Sequence, residues 1–120
     1  MANMKLVAKD IDLLRQVIDD NLGTAHLINN QKYPDLFINK NILAKIDEKL
    51  SNLSEGQIME LEDYDIDMLK NALINILYRA DYDWYGTVYN ISKKEFIDLL
   101  CKLNSYSETI FFYKYKNVVD

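Results

Sequence analysis

The stretch DYDIDMLKNALINILYRA, residues 63–80, decides the fold of this chain because it carries the most regular helical pattern in the sequence. Ile74 and Ile76 widen its apolar face, and Asp63 or Asp65 can accept hydrogen bonds from the free amides of a first turn. The pattern predicts a helix near residues 63–80. Its apolar residues repeat at spacings of three and four, as one helix face requires; they are Ile66, Leu69, Leu73, Leu77 and Ala80.

The same apolar spacing recurs on both sides of this stretch. Gly23 can end the first of these segments in the left-handed conformation. Asn39 or Asn41 can cap the second segment. Ser92 and Glu95 form a capping box at the start of the last, because the hydroxyl and the carboxylate satisfy each other's backbone amides. The sequence therefore predicts three more helices, near residues 8–22, 40–53 and 93–104.

Two segments late in the chain have the composition of strands. Residues 87–91 follow Gly86, and residues 110–118 are rich in aromatic residues and valine, which favour strands over helices. We expect these two segments to pair with each other. The predicted fold is mainly α, an irregular four-helix bundle with a small two-stranded β element near the C-terminus. A chain of 120 residues fits a single α-rich domain over residues 1–120.

The charge of the chain is concentrated in one run of acids. The chain has a net charge of −5, and without the six acids of residues 55–67 that charge becomes +1. A nucleic-acid-binding protein usually has a basic face, so we expect no direct nucleic acid binding. No segment has the length of a membrane span, so we expect no membrane contact and a cytoplasmic location. The six acids are Glu55, Glu60, Glu62, Asp63, Asp65 and Asp67.

A dense aromatic segment follows the central helix pattern. This segment covers residues 78–89, and its centre contains Tyr82, Trp84 and Tyr85 together with Asp81 and Asp83. Large rings with a polar group serve both cores and protein interfaces, where they dominate the binding energy. The rings could instead form a small core with the C-terminal segment. We call residues 78–89 the aromatic segment.

The acids of the aromatic segment also fit part of a calcium-binding pattern. The first half of an EF-hand loop needs oxygen ligands at alternate positions, a glycine for its sharp turn, and an apolar residue two positions later. Ser92 stands where the bidentate glutamate belongs, and Glu95 is the nearest glutamate. The resemblance implies a degenerate cation-binding module as an alternative function. It rests on Asp81, Asp83, Gly86 and Val88.

Residues typical of catalysis are scarce. His26 is the only histidine and lies in a polar stretch, and Cys101 is the only cysteine and lies in an apolar helical pattern. We therefore expect His26 to be a surface residue and Cys101 to be a small buried one. No zinc-protease, P-loop, nucleophile-elbow or dinucleotide-binding motif is present. The sequence predicts a protein that is not an enzyme and that uses no cofactor and no metal.

These observations favour a small acidic protein-binding module without enzymatic activity. We expect its partner to be another protein with a basic surface, which the acids attract and the rings anchor. An inhibitor, an immunity protein or an accessory factor fits this description. The excess of Lys, Asn, Ile and Tyr suggests an AT-rich bacterial, phage or mobile-element gene. The predicted partner-binding residues are Tyr82, Trp84, Tyr85, Glu60, Glu62, Asp63, Asp81 and Asp83.

A self-assembling structural protein is the third function that the sequence leaves open. In that alternative the segment 110–118 adds a strand to the sheet edge of a neighbouring copy. A homo-oligomer is therefore compatible with the sequence.

Overall fold

The computed structural model describes residues 2–24, 38–79 and 93–106 of the chain. These residues are mainly helical, with one small antiparallel sheet of two strands. In chain order the elements are β1 (Ala2–Lys5), α1 (Ala8–Thr24), α2 (Lys40–Ser51), β2 (Ile58–Leu61), α3 (Asp63–Arg79) and α4 (Lys93–Tyr106).

The four predicted helices are confirmed, and each observed end lies within two residues of the predicted one. α2 begins after Asn39, whose side-chain oxygen accepts a hydrogen bond from the Ile42 amide at 3.1 Å. Of the two caps that the sequence offered, Asn39 and Asn41, the structure therefore has the first. The predicted left-handed conformation of Gly23 is wrong, because this residue lies inside α1, which continues to Thr24. Among the described glycines, the positive φ of 84° belongs to Gly56, in the turn before β2.

The predicted position of the sheet is wrong. The described sheet lies at the N-terminus, where β1 pairs antiparallel with β2 and Met4 stands opposite Met59. These strands have four residues each, and their inward side chains enter the core while alternate side chains face outward. The two segments that were expected to pair near the C-terminus, 87–91 and 110–118, lie outside the described residues.

The centre of the described structure is α3, which packs against α1, α2 and α4. Every residue from position 68 to position 77 of this helix is buried. A helix that is covered on all sides needs apolar residues beyond a single stripe, and Ile74 and Ile76 supply them. The buried apolar residues of all four helices and both strands form one cluster around α3. The four-helix bundle and the single domain stay predictions.

Polar side chains of α3 are buried against both α1 and α4. On the side of α1, Asn21 and Asn75 are both 0 % exposed, and Asn75 Nδ2 donates to Asn21 Oδ1 at 2.9 Å. On the side of α4, the ammonium of Lys70 is 0 % exposed, donates to Asn104 Oδ1 at 3.1 Å and lies 3.4 Å from Asp67 Oδ1. Buried polar groups are tolerated when they have such partners.

Candidate protein-binding surface

Three of the six acids at residues 55–67 make hydrogen bonds or an ion pair within the fold. Glu55 accepts a hydrogen bond from the Ala8 amide at 3.2 Å, and so caps the first turn of α1. Asp65 Oδ2 accepts from the Glu62 amide at 3.3 Å, at the start of α3. Asp67 is paired with Lys70. These three carboxylates therefore stabilise the local structure.

The other three acids of the run are Glu60, Glu62 and Asp63, which we call the acidic surface. All three are exposed, and none of them makes an ion pair within the described ranges. Glu60 lies on β2, and Glu62 and Asp63 lie where β2 leads into α3. The backbone carbonyl of Glu60 accepts from Lys49 Nζ at 3.4 Å, so this lysine contacts the strand at its peptide oxygen. These are the three acids of the run that the sequence predicted for partner binding.

Two exposed apolar residues near the acidic surface were not predicted. Ile58 is 63 % exposed on the outward side of β2, and the Tyr64 side chain in the first turn of α3 is 48 % exposed. The alternation of outward Ile58 and Glu60 with inward Met59 and Leu61 could have indicated the first. Tyr64 lies outside the apolar stripe of α3, which could have indicated the second. An exposed apolar residue beside charged ones is common at interfaces, where it is desolvated on binding.

The remaining predicted partner-binding residues lie outside the described residues. They follow α3 and precede α4 in the chain, and they are Tyr82, Trp84, Tyr85, Asp81 and Asp83. Their role as an interface, and the cation-binding alternative that rests on Asp81 and Asp83, stay predictions. Within residues 2–24, 38–79 and 93–106, no group of three or more His, Cys, Asp or Glu side chains is placed to hold a metal ion.

A cleft of about 250 Å³ separates the start of α1 from α4. Two ion pairs cross it with opposite polarity. Lys9 Nζ lies 3.1 Å from Glu95 Oε1, and Lys102 Nζ lies 2.6 Å from Asp10 Oδ2. Asp98 also lines the cleft and pairs with Lys94 at 3.0 Å, so each of the three acids in the lining already has a basic partner. We assign it a structural role between the two helices.

The expectation that Cys101 is buried is wrong. The apolar face of α4 comprises Phe96, Leu99, Leu100 and Leu103, and a residue one position beyond Leu100 is turned about 100° away from that residue. Cys101 is therefore exposed.

We expect Cys101 to react with iodoacetamide in the native protein as fast as an unhindered thiol does. The reason is that no unfolding has to precede the reaction. Mass spectrometry of native and urea-unfolded samples gives the two rates. A rate in the native state more than about tenfold below the unfolded rate would show that the thiol is protected, since that factor corresponds to about 1.4 kcal/mol of opening.

Comparison of the chain with models of known protein families, with curated proteins and with solved structures finds no match. None of the helices in the described part of the chain has the length and apolar character of a membrane-crossing segment.

Proposed function

We propose that this protein is a small acidic protein-binding module without enzymatic activity, which acts as an inhibitor, an immunity protein or an accessory factor. Its partner is a protein with a basic surface. The acidic surface attracts that partner, and aromatic side chains supply the apolar contact. We infer that an irregular four-helix bundle carries this surface.

The exposure of Glu60, Glu62 and Asp63 is the observation that carries the proposal. The acids with structural roles are held by hydrogen bonds or by Lys70. These three residues are instead exposed, and they lie in one short part of the chain. Charges of one sign on one surface raise the rate of encounter with an oppositely charged partner. They also repel partners that carry the same sign, which contributes to specificity.

An apolar contact is also needed, because exposed charges alone contribute more to the rate of association than to affinity. Tyr64 directly follows Asp63, and its side chain is 48 % exposed. The sequence predicts further anchors in Tyr82, Trp84 and Tyr85. Tyr and Trp are the residue types most enriched among those that contribute most to binding energy. These groups fit a partner protein whose surface has apolar areas between basic side chains, such as a nucleic-acid-binding enzyme.

The test removes the three charges of the acidic surface and compares the effect with the same loss of charge elsewhere. The partner is first captured from the lysate of the source organism with the tagged chain, and is then purified. We expect the triple variant Glu60→Gln, Glu62→Gln, Asp63→Asn to bind it at least about tenfold more weakly at low salt, and the difference to shrink at high salt. Isothermal titration calorimetry measures both affinities.

The matched control is a triple variant with the changes Asp12→Asn, Asp19→Asn and Glu48→Gln. These three acids are also exposed, and the net charge changes from −5 to −2 in both variants. We expect the control to bind like the natural chain. Equal weakening by both variants would show that net charge alone is responsible. Unchanged binding by the first variant would remove the acidic surface from the proposal, and a Trp84→Ala, Tyr85→Ala variant that still binds would remove the aromatic anchor.

A further inference from the structure

One face of the β1–β2 ribbon is exposed in the part of the chain that the structure describes. Met4, Met59 and Leu61 enter the core, so the alternate residues Lys5 and Ile58 lie on the opposite, outer face. The register places Lys5 opposite Ile58, and Asn3 opposite Glu60. We call Asn3, Lys5, Ile58 and Glu60 the ribbon face. All four residues are exposed.

The ribbon face has an apolar side chain at one end. Ile58 is 63 % exposed, the highest value among the three large apolar residues that are exposed in the described part of the chain. Val7, which is 48 % exposed, continues the alternation of buried and exposed residues beyond β1. Single exposed apolar residues are ordinary on protein surfaces. Ile58 lies at the end of the exposed strand face, and Val7 adds a second apolar residue beyond that end. Such a surface gains free energy when another surface covers it.

The ribbon face of one copy can place its charges against opposite charges on the ribbon face of a second copy. Lys5 and Glu60 occupy diagonal positions on the two strands, where Cα atoms are about 7–8 Å apart. Neither side chain makes an ion pair within residues 2–24, 38–79 and 93–106. Consider a two-fold axis that lies in the plane of the face and runs between Lys5 and Glu60. This axis places Lys5 of one copy against Glu60 of the other, and it passes close to Ile58. A surface of this kind matches a second copy of itself.

We propose that the ribbon face is a self-association site at which two copies of this chain meet. Ile58 of one copy packs against Ile58 of the other near the two-fold axis, and Lys5 of each copy pairs with Glu60 of the other. The strands of the two ribbons then cross at a large angle, as in orthogonal sheet packing. The site goes beyond the proposed function and shares only Glu60 with the acidic surface.

The dimer is weak, because the ribbon face is small. Stable interfaces bury about 800 Å² on each partner, and four side chains bury much less. We expect a dissociation constant on the order of 0.1–1 mM. Self-association then matters where the local concentration of the protein is high.

The first experiment tests whether Ile58 lies on the axis. Cys101 is replaced by serine, and Ile58→Cys or Tyr64→Cys is added to that background. Both positions are exposed and apolar in the natural chain, but only position 58 meets its own copy in the proposed dimer. Under mild oxidation at about 0.2 mM protein, a concentration within the expected range, we expect Ile58→Cys to form a disulfide-linked dimer much faster than Tyr64→Cys.

The second experiment tests the charge pairing through exchange of the two charges. Translational diffusion measured by NMR follows self-association of the natural chain and of the Lys5→Glu and Glu60→Lys variants. Each variant alone places like charges together and should stay monomeric. An equimolar mixture of the two variants restores both opposite-charge pairs, and so should associate again. Circular dichroism verifies that these exposed changes leave the helices intact.

The proposal is overturned if the natural chain is monomeric at about 1 mM, the upper end of the expected range. It is also overturned if the mixture of charge variants does not associate, or if the two cysteine variants cross-link at equal rates. Association that depends on residues 110–118 and not on the ribbon face would identify the C-terminal segment as the contact instead. None of these outcomes depends on a second protein, so they leave the proposed function untouched.

Discussion

The Leu73→Ala substitution is expected to lower the free energy of unfolding by about 2–5 kcal/mol. Leu73 is 0 % exposed and lies in the part of α3 where every residue is buried. Because α1, α2 and α4 all pack on this helix, none of them can move in to fill the space of the lost carbons without losing its other contacts. The cost therefore includes the lost burial of the side chain and the cavity that remains.

Urea unfolding followed by circular dichroism at 222 nm measures this effect, since most described residues are helical. The Val7→Ala variant is the matched control. Val7 is 48 % exposed and lies between β1 and α1, so we expect its truncation to change the free energy of unfolding by no more than about 0.5 kcal/mol. A cost below about 1 kcal/mol for Leu73→Ala would mean that α3 is not the centre of the core.

The helices could be predicted from sequence because each has a long apolar repeat and local start signals. A repeat over 12–17 residues gives several independent matches to the helical period. Asn39 could be named as one of two candidate caps because its partner Ile42 is only three residues away. The exposure of Cys101 was also available from the helical period of α4, once its buried face had been identified.

The sheet could not be predicted in the same way. β1 and β2 have four residues each, so each contains only two periods of the alternation between inward and outward residues that predicts a strand. Their pairing joins residues more than fifty positions apart, as Asn3 and Glu60 show. The different roles of the acids at 55–67 depend on such distant contacts too, because Glu55 caps a helix that begins 47 residues earlier. Composition identified the acidic run, but it could not show that Glu55 caps α1.

The burial of Asn75 does not follow from the apolar stripe of α3. Asn75 lies outside that stripe, and a helix packed on one side would have left it in water. The helix is covered on several sides, so Asn75 is buried against α1 and bonded to Asn21. The number of neighbours around a helix is a property of the whole fold and cannot be read from the helix itself.

The hydrogen bonds of Asn21 and Asn75 predict which of two substitutions, at position 21 or at position 75, destabilises the protein more. Asn21 donates to the carbonyls of Val17 at 2.8 Å and Ala72 at 3.2 Å, and it accepts from Asn75. Asn75 Oδ1 is buried and has no hydrogen-bond partner in the described part of the chain. The Asn21→Leu substitution therefore leaves both polar atoms of the Asn75 side chain without a partner. The Asn75→Leu substitution leaves only Asn21 Oδ1 unsatisfied and removes an oxygen that was already unpaired.

We expect Asn21→Leu to lower the free energy of unfolding by about 1–3 kcal/mol, and Asn75→Leu to lower it by less. The double variant should be close to the natural chain in stability, because neither amide of the pair is then left without the other, and leucine favours a helix more than asparagine does. Urea unfolding of the four proteins gives the coupling energy of the pair. Additive costs in the double variant, or a larger cost for Asn75→Leu than for Asn21→Leu, would contradict this account. A stable double variant would show that the pair contributes little net free energy to folding. The role of the pair is then to align α1 with α3. A buried amide has this effect because it tolerates only the alignment of the two helices that supplies its partner.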